Sequence, residues 1–108
     1  MAEKTIMLAC SAGMSTSLLV SKMQAAAKAD GVDYHIFATA ASDIDHQLNS
    51  ENHPDVLLLG PQIGYMAADI KKKTDAAGIP MAPINMQDYG MMNGENVLTT
   101  AEKLMGDK

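Results

Sequence analysis

The run Asp55-Val56-Leu57-Leu58-Leu59-Gly60 limits the fold more than any other stretch of the chain. An uninterrupted apolar segment, too short for a helix and bounded by turn residues, has the pattern of a strand buried on both faces. Such a strand needs cover above and below, which parallel sheets obtain from crossover helices. The remaining sequence supplies both strands and helices. Further strands are predicted over about Lys4 to Ala9, Asp33 to Ala38 and Pro80 to Ile84. In the second of these, Tyr34, Ile36 and Ala38 alternate with His35 and Phe37. Helical patterns cover Ser15 to Asp30, Ser42 or Asp43 to Asn49, Tyr65 to Ala77, and Gly94 or Glu95 to Met105. Leu19, Val20, Met23, Ala26 and Ala27 share one face of the first helix, and Gly31 and Gly78 act as stop signals. Ser42 or Asp43 is the expected N-cap of the second helix. Pro61 to Gly64 and Asn85 to Asn93 read as loops.

Strands and helices in alternation predict an α/β fold with a four-stranded parallel sheet and helices on both faces. Right-handed crossovers narrow the topology to a flavodoxin-like order, 2-1-3-4. Ligands in such sheets bind beyond the carboxyl ends of the strands. Cys10 stands at that end of the first strand, and the loops at Thr39–Ser42, Gly60–Gly64 and Asn85–Asn93 are expected to rim the same edge.

Composition removes several function classes. The 108 residues are expected to form one domain, and 47% hydrophobic content is enough for a real core. The net charge is −5, and all eight basic residues are lysines. The only basic cluster, Lys71-Lys72-Lys73, reads as a solvated helix face. Nucleic acid is therefore not an expected partner, because phosphate neutralisation needs several cations on one surface. A single cysteine excludes an intramolecular disulfide. No signal-peptide core and no apolar run of membrane-spanning length are present, so a cytoplasmic protein without membrane insertion is expected.

Three readings compete for Cys10. A free cysteine at a strand end is commonly a small buried hydrophobe. The segment after it, Ser11-Ala12-Gly13-Met14-Ser15-Thr16-Ser17, is rich in small and hydroxyl residues and opens a helix. Loop N–H groups and the positive end of a helix dipole there would favour a thiolate, or a phosphoryl group attached to it. A phosphatase of the Cys-x5-Arg type needs a guanidinium to clamp the phosphate, but that position is Thr16 and the chain has no arginine. It also needs a general acid, and although Asp43 and Asp88 lie in rim loops, nothing in the sequence marks either. A phosphocysteine carrier needs only backbone donors that hold the group without trapping it.

Two segments carry a family resemblance. Cys10-Ser11-Ala12-Gly13-Met14-Ser15-Thr16-Ser17-Leu18-Leu19-Val20 resembles the active-site segment of lactose/cellobiose-type IIB proteins of the bacterial phosphoenolpyruvate-dependent sugar phosphotransferase system. Leu58-Leu59-Gly60-Pro61-Gln62-Ile63-Gly64-Tyr65 resembles their second recurring segment. The resemblance implies a cytoplasmic carrier phosphorylated on Cys10 by a phosphohistidine IIA protein. The phosphoryl group would then pass to a sugar, such as cellobiose or lactose, bound by the membrane IIC permease. By position, Ser11, Ala12, Gly13, Met14, Ser15, Thr16 and Ser17 would form the phosphate-binding loop. Alternatives from other classes are a thiol-based redox or regulatory module and a small cysteine phosphatase.

The other polar and soft residues read more plainly. His35, His46 and His53 lack metal-ligand spacing, and neither a metal nor another cofactor is expected. Most of the ten methionines occupy core-like positions, where Met fills gaps. Met14, Met91 and Met92 lie in or near the rim loops, where packing and flexible partner contact are both open readings. Gln62 is a candidate contact to the phosphate loop, and Tyr65 a candidate rim residue or core cap.

Overall fold

The computed structural model describes residues 4–10, 14–49 and 53–106. Its centre is a four-stranded sheet in the order β2-β1-β3-β4, with β1 at Lys4–Cys10, β2 at Tyr34–Ala40, β3 at Val56–Leu59 and β4 at Met81–Pro83. Every strand pair is parallel. The expected class and strand order are thus observed. Five helices connect and cover the strands: α1 (Met14–Ala29), α2 (Ile44–Leu48), α3 (Ala67–Ala77), α4 (Met86–Gly90) and α5 (Gly94–Met105).

The side-chain alternation of the central strands builds a core on each face. Ile6 and Leu8 of β1, with Val56 and Leu58 of β3, pack against Leu19, Met23 and Ala27 of α1 and Val97, Leu98 and Ala101 of α5. Met7, Ala9, Leu57 and Leu59 point the other way, to Ile44 and Leu48 of α2 and Ile70 of α3. All four residues of β3 are fully buried, as its unbroken apolar sequence requires. Full burial of a side chain such as Leu58 contributes about 1.5–3 kcal/mol. The expected face of α1 is also observed, with Ala26 only partly buried at its margin.

Polar groups lock the amino-terminal edge. The Thr5 N–H donates to the Asp55 carboxylate at 2.8 Å, and the Asp55 N–H donates back to the Thr5 carbonyl at 2.8 Å. Glu102 is only 3% exposed, and it accepts a 2.8 Å hydrogen bond from the Tyr34 hydroxyl. That bond gives the buried carboxyl group a partner and ties the end of α5 to the start of β2.

Several boundaries differ from the sequence expectation. The segment Asn85–Asn93 is not an open loop: Asn85 accepts from the N–H groups of Gln87 and Asp88 and starts α4. Pro61–Met66 forms a 3-10 turn, so α3 begins at Ala67 and not at Tyr65. β2 runs two residues further than expected because Cys10 of β1 pairs with Ala40. Asp43 does stand at the N-cap of α2, but its side chain makes no capping hydrogen bond. Gly31 and Gly78 adopt the left-handed conformation expected of helix stops.

The contact between α1 and α5 is closest at Gly94. A Cβ there would sit 2.5 Å from the Lys22 carbonyl carbon and 2.7 Å from the Met23 nitrogen. Backbone cannot yield as a flexible side chain does. Gly94→Ala is therefore expected to lower unfolding stability by about 1–3 kcal/mol, the usual cost of overpacking. Gly90→Ala, which would meet nothing within 4 Å, serves as the control and should leave the urea midpoint nearly unchanged.

Candidate active site

Parallel pairing brings the carboxyl ends of all four strands to one edge. Cys10 lies opposite Ala40 of β2, Ala9 lies opposite Leu59 of β3, and Leu59 lies opposite Pro83 of β4. Hydrogen bonds carry the ladder past the strand ends. The Gly60 N–H donates to the Ala9 carbonyl, and the Ile84 N–H to the Leu59 carbonyl, both at 2.7 Å. Cys10 thus ends a strand that is held on both sides. Period-two alternation puts its side chain on the same sheet face as Ile6 and Leu8, the face covered by α1 and α5. The residue is 3% exposed.

α1 begins at Met14, four positions after Cys10. Four extended residues span at most about 14 Å, which bounds the separation of Cys10 and the start of α1. The leading N–H groups of a helix have no intrahelical acceptor and carry the positive end of its dipole. No acidic residue stands in the first turn of α1 to offset that potential. Ser11, Ala12 and Gly13 lie outside the described residues, as do the side chains of Met14, Ser15 and Thr16. Ser17 is exposed on α1, and its carbonyl accepts a 3.4 Å hydrogen bond from the Ser21 hydroxyl.

The rim segments expected from the sequence leave the same edge. Thr39, Asp43 and Gln47 form a cluster there that sequence reading did not assemble. The Thr39 hydroxyl and the Gln47 amide both donate to Asp43 Oδ2, at 3.2 and 3.0 Å. The hydrogen bond from Gln47 holds the Asp43 carboxyl below its ordinary value of 3.8; burial opposes this, while Thr39 and the nearby His46 add to it. These hydrogen bonds favour the carboxylate form of Asp43 over the protonated one. The four-residue spacing of Asp43 and Gln47 was the available signal for this contact. Asp88 accepts a 3.2 Å hydrogen bond from Asn96, beside α4.

Tyr65 is 84% exposed, so it does not cap the core. Gln62 belongs to the 3-10 turn after β3, and its side chain lies outside the described residues. Met91 is exposed, whereas Met92 packs against the α1/α5 core. His35 stacks on Phe37 with ring centroids 5.1 Å apart, and His46 and His53 are exposed. Among the described residues no group of three or more His, Cys, Asp or Glu could hold a metal ion. None of the described helices is long and apolar enough to cross a membrane. A pocket between α2 and α3 is lined by Asp45, Leu48, Asn49, Lys73, Ala76 and Ala77.

Comparison with known proteins gives this geometry a setting. Residues 5–100 match the family described as "PTS system, Lactose/Cellobiose specific IIB subunit". A galactose-specific EIIB component from Lactococcus lactis subsp. cremoris is 59% identical over 107 residues, covering 97% of this chain and 99% of that protein. A cellobiose-specific EIIB component from Lactococcus lactis subsp. lactis has the same 59% identity and coverage. An oligo-beta-mannoside-specific EIIB component from Bacillus subtilis is 36% identical, over 94% of this chain and 96% of its own. Among solved structures, a cellobiose-specific IIB component from Borrelia burgdorferi superposes with a TM-score of 0.78 at 37% identity, covering 97% of this chain and 94% of that one. The lactose-specific IIB domain from Streptococcus pneumoniae shares the fold, with a TM-score of 0.80 at 15% identity over 94% of this chain and 97% of its own.

The Asp43 cluster makes a pH prediction. A carboxyl group whose value is lowered on folding stabilises the fold above its unfolded value, and that contribution fades as pH falls through the folded one. Carboxyl-carbon NMR titration should therefore place the Asp43 midpoint below 3.8. Asp43→Ala should reduce stability at pH 7, and the difference from wild type should narrow under acid conditions.

Proposed function

Because the chain belongs to the lactose/cellobiose-specific IIB family of the sugar phosphotransferase system, we propose that it relays a phosphoryl group through S-phosphocysteine at Cys10. IIB components work with IIA and IIC partners, and they are phosphotransferases. In the first step Cys10 Sγ attacks the phosphorus of a IIA phosphohistidine. The P–N bond breaks, the S–P bond forms, the electron pair returns to the imidazole nitrogen, and the imidazole takes up the proton the thiol gives up. In the second step a hydroxyl oxygen of a sugar bound by the IIC permease attacks. The S–P bond breaks, the thiolate leaves, and the hydroxyl proton passes to a base at the sugar's site. The amides of residues 11–17 stabilise the phosphoryl oxygens in the interval. The protein acts in the cytoplasm, and the membrane work belongs to IIC.

The observation that carries this reading is the position of the only cysteine: the last residue of the central strand β1, just ahead of the α1 amino terminus. The chemistry also favours a carrier over a phosphatase. No arginine exists to trap the dianion. The sugar is a β-glucoside such as cellobiose, or a galactoside such as lactose. Relatives with galactose and cellobiose names are equally identical at 59%, which fits a sugar pocket built by another protein.

Incubation with phosphoenolpyruvate and the upstream phosphotransferase proteins should add one phosphoryl mass to the wild-type chain. Cys10→Ser should add none, because serine is far less nucleophilic at neutral pH, while its circular dichroism stays native. Phosphorylation of the folded Ser variant at the wild-type rate would refute the assignment.

A further inference from the structure

The two outer strands of the sheet are protected in different ways. An outer strand presents a row of backbone N–H and C=O groups that another chain can pair with. β4 is three residues long and ends in Pro83, which has no N–H to offer. β2 is seven residues long and pairs with β1 in one unbroken register, without a bulge. Its sequence, Tyr34-His35-Ile36-Phe37-Ala38-Thr39-Ala40, holds no proline, no lysine and no acidic residue. The far side of β2 is therefore a regular pairing edge of the kind that strand addition uses.

The hydrogen-bond ladder shows which groups face outward. The Thr5 and Ala9 carbonyls accept from the Asp55 and Gly60 N–H groups. Odd-numbered residues of β1 thus turn their backbone toward β3, and even-numbered ones turn it toward β2. In a parallel pair Ile6 then bonds to His35 and Phe37, the neighbours of its partner Ile36. That leaves the backbone groups of Tyr34, Ile36, Ala38 and Ala40 on the outer side. In the middle of this row the Gln24 side-chain amide donates to the Ile36 carbonyl at 3.0 Å. Gln24 is an exposed residue of α1, and it follows Met23, which is fully buried in the core. The helix therefore holds the amide against the edge.

We propose that the outer edge of β2 is complementary to β2 of a second copy of this chain, and that Gln24 guards it. Two antiparallel β2 strands related by a twofold axis at Phe37 set Ile36 opposite Ala38 and Tyr34 opposite Ala40. All four residues turn their backbone outward, so each pair has the geometry to exchange two hydrogen bonds. No lysine or acidic side chain is opposed across the strands, although the chain as a whole carries a net charge of −5. The second copy is the occupant because the row is self-complementary about its own centre. Gln24 occupies the Ile36 carbonyl in both copies and puts a polar side chain in the path of the incoming strand. It thereby keeps the chain monomeric. The inference stands apart from the carrier reading.

Sedimentation equilibrium of the whole chain tests it. Wild type should show little dimer at about 1 mM, and Gln24→Ala should associate at least about tenfold more tightly, the scale of two hydrogen-bonded guards removed per dimer. The exposed position should leave the circular dichroism native. Amide exchange at Ala38 and Ala40 should slow as the concentration of Gln24→Ala rises. Adding Ala38→Pro removes an outward N–H that the sheet does not use, and should return the chain to the monomer. A Gln24→Ala chain that stays monomeric at about 1 mM would overturn the proposal. So would a wild type that dimerises as tightly as the variant, because Gln24 would then guard nothing. Association without slowed exchange at Ala38 and Ala40, or undiminished by Ala38→Pro, would assign the contact to another surface and overturn the proposal equally.

Discussion

β1 is hydrogen-bonded on both sides, to β2 and to β3, with every strand running the same way. The geometry of the Cys10 edge follows from that ladder. Parallel order forces each connection to cross back over the sheet, so the segments after β1, β2, β3 and β4 all start from one edge. The buried strand β3 fixes the register, because a one-residue slip would exchange Val56 and Leu58 with Leu57 and Leu59 between the two cores. The 2.7 Å bond from Gly60 to the Ala9 carbonyl continues the ladder to the residue just before the thiol. Cys10 therefore ends a strand paired on both sides, and the phosphate donors proposed for it sit at the start of a helix anchored in the core by Leu19 and Met23.

In the proposed relay that placement matters because a carrier has to hold a phosphoryl group and also release it. Backbone amides and a helix dipole stabilise the dianion with partial charges. A guanidinium would add a full charge and two directed hydrogen bonds, and so deepen the bound state. The absence of arginine is consistent with a group that must leave again. Gln47 and Thr39 both donate to the Asp43 carboxylate and favour its charged form. The edge as a whole therefore suits transfer between proteins better than hydrolysis.

Much of this architecture was legible in the sequence, for reasons that can be named. The unbroken run Val56–Leu59 signalled a strand covered on both faces, and Gly31 and Gly78 marked real left-handed helix ends. Cys10 could be placed because strand and helix patterns flank it on either side. What escaped was short or set by tertiary contact. α4 has five residues and buries only Tyr89, too little for a helical period to show. The turn Pro61–Met66 reads as a loop because 3-10 geometry has no distinct apolar rhythm. The Asp43 side chain was expected to cap α2, but Thr39 on the neighbouring strand and Gln47 one turn on compete for the same oxygen. Gly94 gave no sign in sequence that α1 passes against its backbone. Exposed methionines were legible only in part: Met91 was singled out, whereas Met86 was not and Met92 packs against the core.

The central claim is that a phosphoryl group on Cys10 is held by the amides that follow it. Two-dimensional amide NMR spectra of the uniformly labelled chain, before and after phosphotransfer from IIA, address it directly. The account predicts that the largest downfield shifts fall on the amides of residues 11–17. Amides at the opposite edge, in the last turns of α2 and α3, should stay in place. Shifts centred on His35, His46 or His53 would contradict the account, as would a phosphorylated Cys10 that leaves the amides of residues 11–17 unmoved.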